Sequence, residues 1–254
     1  MFDLRARKNG RPLLVGHRGA LEAAPENTMP AFAAALAGGA DIIELDVQLT
    51  ADQQVVVFHD ISLQQKARLP SLISAHSAEF LRALDMGRYF GEQFAGLKMP
   101  FLSEVLDWAY GRIPLMIELK HGPVFNPALE QAVVGLITDY RMTDNVVLIS
   151  SDQFALQRVK RLDPHLATSF IFSGRLLNPL ALVDGLEVNA LSPRTDLLTQ
   201  AEVDLIHAAG YACSPGGFWW DYPRFIAWGV DTISSNNPAA IEWTTIMPTD
   251  TQNL

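Results

Sequence analysis

Short apolar runs recur along the whole chain, and most are separated by longer stretches that carry helix start and stop signals. That rhythm limits the folds open to the chain more than any other feature. The spacing predicts strands at Leu13–Gly16, Asp41–Leu49, Val55–His59, Leu115–Lys120, Val146–Ser150, Thr168–Phe172, Leu186–Leu191, Tyr211–Ser214 and Thr232–Ser235. Thr28 is placed to cap a helix over Met29–Leu36, which Gly38 and Gly39 end. Asn126 and Pro127 open Ala128–Asp139, with proline expected at the first helical position. Asp152 caps Gln153–Leu162, Thr199 and Glu202 form a capping box, and Tyr222-Pro223 begins a short helix that stops at Gly229. Strand followed by helix, repeated, means parallel strands with helical crossovers. About eight such repeats in 254 residues favour an α/β TIM (β/α)8 barrel over an open doubly wound sheet. The Gly16–Gly19 stretch lacks the spacing of a dinucleotide loop.

One segment breaks the rhythm. Residues 61–100 lie between the hairpin partner of the second strand and a helix expected around Ser103–Tyr110; they show no alternating pattern, with a short helix expected over Ser77–Leu84. Such an excursion at a strand end is expected to be a lid or a substrate wall. No repeat, low-complexity tract or linker divides residues 1–254, so a single domain with this insertion is expected. The formal charge of -9 argues against nucleic-acid binding, which needs clustered Lys and Arg. One cysteine, Cys213, excludes an internal disulfide and a thiolate zinc cluster. The N-terminal stretch lacks a signal-peptide core, and no apolar run approaches the ~18 residues of a membrane span, so a cytoplasmic location is the default expectation. The subunit count is left open.

Chemistry concentrates at the predicted strand ends. Residues two apart on a strand share a face, so Glu44 and Asp46 present two carboxylates side by side, and Glu118 offers a third with Lys120 beside it. Anions clustered on strands are costly unless a cation binds them. Three carboxylates without cysteine make a hard oxygen site suited to Mg2+ or Ca2+; the alternative is a set of surface carboxylates at a strand end. His17 and His59 each follow an apolar run and titrate near neutral pH, as a base and an acid must. Taken singly, either could be a hydrogen-bonded structural histidine. His76, His165 and His207 read as surface residues, and His121 is an outside candidate. Arg18 and Lys120 suit phosphate contact, or salt bridges to the neighbouring carboxylates, or both. Glu26 and Asn27 read equally well as capping residues of the first helix, and Gly16 and Gly19 as permitting a sharp turn.

Gly16-His17-Arg18-Gly19, Pro25-Glu26-Asn27-Thr28, Glu44-Leu45-Asp46-Val47, Val57-Phe58-His59-Asp60 and Ile117-Glu118-Leu119-Lys120, in this order, resemble the motifs of the glycerophosphodiester phosphodiesterase family. The likeness extends to Leu84–Gly87 and to Met99–Leu106 and, more loosely, to Val147–Leu156. It implies a barrel enzyme that cleaves a small-molecule glycerophosphodiester into glycerol 3-phosphate and an alcohol. It implies a divalent metal held by Glu44, Asp46 and Glu118, acid/base roles for His17 and His59, and phosphate contacts from Arg18 and Lys120. In that family the glycerol hydroxyl is thought to attack phosphorus, giving a cyclic phosphate that water opens.

The chain departs from the family pattern at three places. Cys213–Gly217 stands for a Trp-Thr-Val-Asn-like strand end, Ser235–Pro238 for a terminal Asp, and Leu63–Lys66 for a Leu-x-Arg-Thr stretch. Phe218, Trp219 and Trp220 either wall the substrate or simply pack. Rival readings are a phospholipase D-like or lyase-like enzyme acting on lysophospholipids, a noncatalytic sugar-phosphate binding barrel, and a carbon–carbon enzyme with Lys120 as base. The last leaves the two histidines and Arg18 without a shared purpose.

Overall fold

The computed structural model describes residues 1–122, 125–217 and 221–247. The chain runs β1 (Leu13–Gly16), α1 (Met29–Ala37), β2 (Ile42–Leu49), β3 (Val55–Val57), α2 (Gln64–Ala67), α3 (Ala78–Ala83), α4 (Leu102–Ala109) and β4 (Leu115–Leu119). It continues through α5 (Ala128–Asp139), β5 (Val146–Ser150), α6 (Gln153–Leu162), β6 (Ala167–Phe172), β7 (Ala190–Pro193), α7 (Gln200–Ala208), β8 (Ala212–Cys213), α8 (Tyr222–Ala227), β9 (Thr232–Ser235) and α9 (Trp243–Ile246). The strands lie in the order β8-β7-β6-β5-β4-β2-β1-β9, with parallel neighbours throughout, and β3 hangs antiparallel from β2. This is the expected TIM-type barrel.

One backbone hydrogen bond and several side-chain contacts carry the closure at the β8–β9 seam. The Asp231 amide donates to the Cys213 carbonyl at 2.8 Å, and the Cys213 amide donates to the Asp231 carboxylate at 2.7 Å. Ser214 and Thr232 hydroxyls meet at 2.8 Å. Asp231 is itself held by Arg7 at 3.1 Å and His207 at 2.8 Å, so His207 is a seam residue rather than a surface one.

Outward positions of the strands, such as Ile43, Leu45, Val47, Ile117 and Leu119, pack against Phe32 of α1, Leu102, Val105 and Leu106 of α4 and Val133 and Ile137 of α5. Inward positions at the lower end, including Leu13, Ile42, Val147 and Ala190, form a second apolar cluster that the N-terminal Leu4 joins. Residues 61–100 have their own small core, in which Leu63, Ile73, Leu81, Met86 and Met99 pack against Val56 and Phe58.

Three local expectations shift. The seventh strand lies at Ala190–Pro193 instead of Leu186–Leu191, because Leu186 and Val188 pack among the helices and Asn189 turns its side chain to the Thr168 amide at 2.9 Å. Thr28 does not cap α1; its hydroxyl donates to the Pro25 carbonyl and so shapes the preceding loop. Pro127 sits just before α5 rather than inside it, with the Asn126 side chain accepting from the Ala128 amide at 3.1 Å. Asp152 and Thr199 cap α6 and α7 as their sequences indicate. Among the described residues no helix is long and apolar enough to cross a membrane.

Candidate active site

The inward positions of β2 are Ile42, Glu44, Asp46 and Gln48, apolar at the base and polar toward the carboxyl end. Parallel register sets Asp46 beside Glu118 of β4. Oxygens of Glu44, Asp46 and Glu118 consequently lie within 4.8 Å of one another, and Glu44 and Asp46 are buried. Burial, then the charges of Asp46 and Glu118, pushes the Glu44 carboxyl well above the usual range. Burial, then Asp46, also raises Glu118. Asp46 goes the other way: burial opposes its ionisation, but Lys120 and Arg18 outweigh that and hold it below the usual range. The surface-carboxylate alternative is thereby removed.

These residues fit a hard divalent cation. The donors are oxygens from three strand-borne carboxylates, and Asp46 Oδ1 is buried without accepting a hydrogen bond, 3.3 Å from Lys120 Nζ. Lys120 also meets Glu118 at 2.6 Å, so the lysine balances part of the negative charge.

Two loops interlock over the acids. Arg18 takes a left-handed conformation, φ 52°, which aims its amide at Glu44 (2.8 Å) while the guanidinium reaches Glu26 (3.1 Å) and lies 3.5 Å from Asp46. Gly19 follows at φ +85°, where an added Cβ would stand 2.6 Å from the Ala31 carbonyl carbon, so only glycine fits. Asn27 donates to Asp46 at 2.8 Å and accepts from the Asp46 amide at 3.1 Å. Glu26 and Asn27 are therefore arms of the site and not helix caps.

The two histidines approach from different loops. His17 donates from Nδ1 to the Asn236 side-chain oxygen at 2.8 Å, which leaves Nε2 as the free ring nitrogen. Burial and then the Arg18 charge lower its pKa and favour the neutral ring. His59 pairs through Nδ1 with Asp60 at 2.8 Å. Its loop is held by Gln48, whose side-chain amide donates to the Phe58 carbonyl at 2.9 Å and the Asp60 carbonyl at 2.8 Å. Both histidines interact electrostatically with Asp46.

His121 stands apart, bonded to the buried Glu130 at 3.0 Å, which Arg158 also clamps. His76 is tied to Ser71 at 2.8 Å, and His165 is exposed. Asn236, Asp60, Gln48 and Lys66 are the contributors that sequence reasoning assigned no role. Adjacency to His59 was a usable signal for Asp60; Asn236 lies 219 residues from His17 and offered none.

A cavity of about 170 Å³ opens beside the acids. His17, Glu44 and Glu118 line one wall, Met116, Ile149 and Ile171 the apolar floor, and Arg194 with Ser214–Gly217 the far side. The divergent Cys213–Gly217 stretch thus borders this space. Phe218, Trp219 and Trp220 lie outside the described residues.

Residues 17–240 match the profile of the glycerophosphoryl diester phosphodiesterase family. The chain belongs to this family. A glycerophosphodiester phosphodiesterase of Caldanaerobacter subterraneus subsp. tengcongensis is 32% identical over 241 residues, 91% of this chain and 96% of the relative. Among solved structures, a glycerophosphodiester phosphodiesterase from Agrobacterium tumefaciens superposes with a TM-score of 0.75 at 26% identity, covering 90% of this chain and 97% of the other. An Oleispira antarctica phosphodiesterase, solved with sn-glycerol-3-phosphate as product, shares the fold with a TM-score of 0.86 at 24% identity, covering 94% and 97%.

Proposed function

We propose that this family member is a divalent-metal-dependent hydrolase that splits a glycerophosphodiester into glycerol 3-phosphate and an alcohol. The observation that carries the reading is the convergence of three strand carboxylates, two oriented histidines and two cations at one end of the barrel. Glu44, Asp46 and Glu118 would hold Mg2+ or Ca2+. When bound, the cation would polarise the phosphoryl oxygens and help acidify the attacking hydroxyl. Arg18 and Lys120 would release part of their pairing with the carboxylates and turn toward the phosphate oxygens.

His17 suits the base. Burial and then the Arg18 charge favour its neutral ring, and Asn236 occupies Nδ1 so that Nε2 is available to take the proton of the substrate's glycerol hydroxyl. His59 suits the acid, since a carboxylate partner such as Asp60 steadies an imidazole that carries and gives up a second proton. The roles would exchange when water opens the cyclic phosphate. We take residues 1–254 as one catalytic unit in which the 61–100 insertion walls the site, a reading supported by Lys66 reaching Glu26 and Asp60 from that segment.

The test is a panel of glycerophosphodiesters and lysophospholipids, each with Mg2+, Ca2+ or Mn2+, followed by release of the phosphate-bearing product. Glycerol 3-phosphate formation that excess chelator abolishes is the expected result. Full turnover in chelator would remove the metal role, and turnover confined to lysophospholipids would move the assignment to a phospholipase D-like activity.

A further inference from the structure

Glu26, His59 and Asp60 form a second group whose ligand atoms lie within 4.8 Å of one another, spacing that would also admit a cation. A cation is already there. Lys66 Nζ sits 2.7 Å from Glu26 Oε1 and 2.8 Å from Asp60 Oδ2, and its side chain is only 10% exposed. Aromatic rings flank the ammonium, with the Phe58 centroid at 5.1 Å and the Tyr89 centroid at 5.9 Å. The lysine belongs to α2 in the 61–100 segment.

We propose that Lys66 is a positioning residue for the reaction: its ammonium pins Asp60 where that carboxylate fixes the Nδ1–H tautomer of His59, and pins Glu26 where it holds Arg18. The geometry divides the work. Asp60 spends one oxygen on His59 (2.8 Å) and the other on Lys66, so its plane is set by two partners and the imidazole is set by that plane. Glu26 Oε1 is shared by Lys66 and by Arg18 Nη1 at 3.1 Å, so one ammonium steadies both the proton carrier and the arginine beside the acids. Without it two carboxylates would face each other with Arg18 as their remaining cationic neighbour among these contacts, and repulsion would swing Asp60 away from His59. Lys66 touches none of Glu44, Asp46 and Glu118 in these contacts, so its effect passes through its neighbours.

This proposal rests on the acid/base reading of His59, and its test separates the two. Lys66→Gln keeps a hydrogen-bonding group and removes the charge; Lys66→Arg keeps the charge. In the metal-loaded enzyme K66Q should lower kcat about tenfold with KM changed less than about threefold, and K66R should restore at least half of the wild-type rate. In the background of Asp60→Asn, K66Q should cost less than it does in the wild type, because only the hold of the lysine on Glu26 is then left to lose. Imidazole 15N shifts in the resting protein should show His59 losing its single Nδ1–H tautomer in K66Q and keeping it in K66R. An unchanged tautomer in K66Q, or losses in K66Q and D60N that simply add, would overturn the proposal. The nitrogen shifts read it whatever turnover His59→Ala shows, so the acid/base assignment can fail independently.

Discussion

Replacing Glu44 by Gln should stabilise the metal-free protein while destroying its response to metal. Glu44, Asp46 and Glu118 stand within 4.8 Å of one another, and two full charges at that spacing repel by about 3.5 kcal/mol at an effective dielectric of 20. Glu44 faces two such neighbours. Lys120, 3.3 Å from Asp46 and 2.6 Å from Glu118, cancels about one of those two charges, and the attraction of Arg18 with its amide hydrogen bond offsets about 2–3 kcal/mol of the repulsion that is left. A net gain of about 1 kcal/mol remains, which for a chain of this size is a Tm rise of about 2–4 °C. Thermal unfolding in chelator reads that gain directly. The same scan with millimolar Mg2+, Ca2+ or Mn2+ reads the mass-action stabilisation that metal confers on the wild type and should not confer on E44Q. A variant that is less stable without metal, or that keeps the full metal-induced shift, would refute the view that these carboxylates form a strained cation site.

His17→Ala and His59→Ala should each reduce kcat by roughly 10²-fold or more with an unchanged circular dichroism spectrum; near-wild-type turnover would remove that ring from the proton transfers. Acid stability should depend on Asp41, which accepts from Lys8, Arg11 and the Leu14 amide and ties the N-terminal segment to β1. Burial opposes its ionisation, but those hydrogen bonds lower its folded-state pKa, so its contribution is complete above the ordinary Asp value of about 4 and is lost as pH falls through the lower folded value. Asp41→Asn should therefore cost about 2 kcal/mol at pH 7 in urea titrations and progressively less below pH 4, and a penalty constant down to pH 2 would contradict the assignment.

Local pattern determined the barrel, because burial of every parallel strand between a ring of helices imposes continuous apolar runs, and runs punctuated by caps are visible without coordinates. It also determined which side chains are chemically capable: Glu44 and Asp46 share a face by strand parity, and His17, Arg18, His59, Glu118 and Lys120 stand at strand ends. The strand at Ala190–Pro193 was misplaced because an apolar run that packs among helices looks the same as one that enters a sheet. What only the tertiary structure decided are the partners. Register placed Asp46 beside Glu118, the first loop crossed over to make Asn27 a ligand of Asp46, and the last strand brought Asn236 to His17. Lys66 met Glu26 and Asp60 because α2 sets its side chain beside the first loop and the end of β3. Hydrogen bonds and charges act over a few ångströms in space, and nothing in the order of the residues encodes a contact between groups far apart along the chain until the sheet has closed.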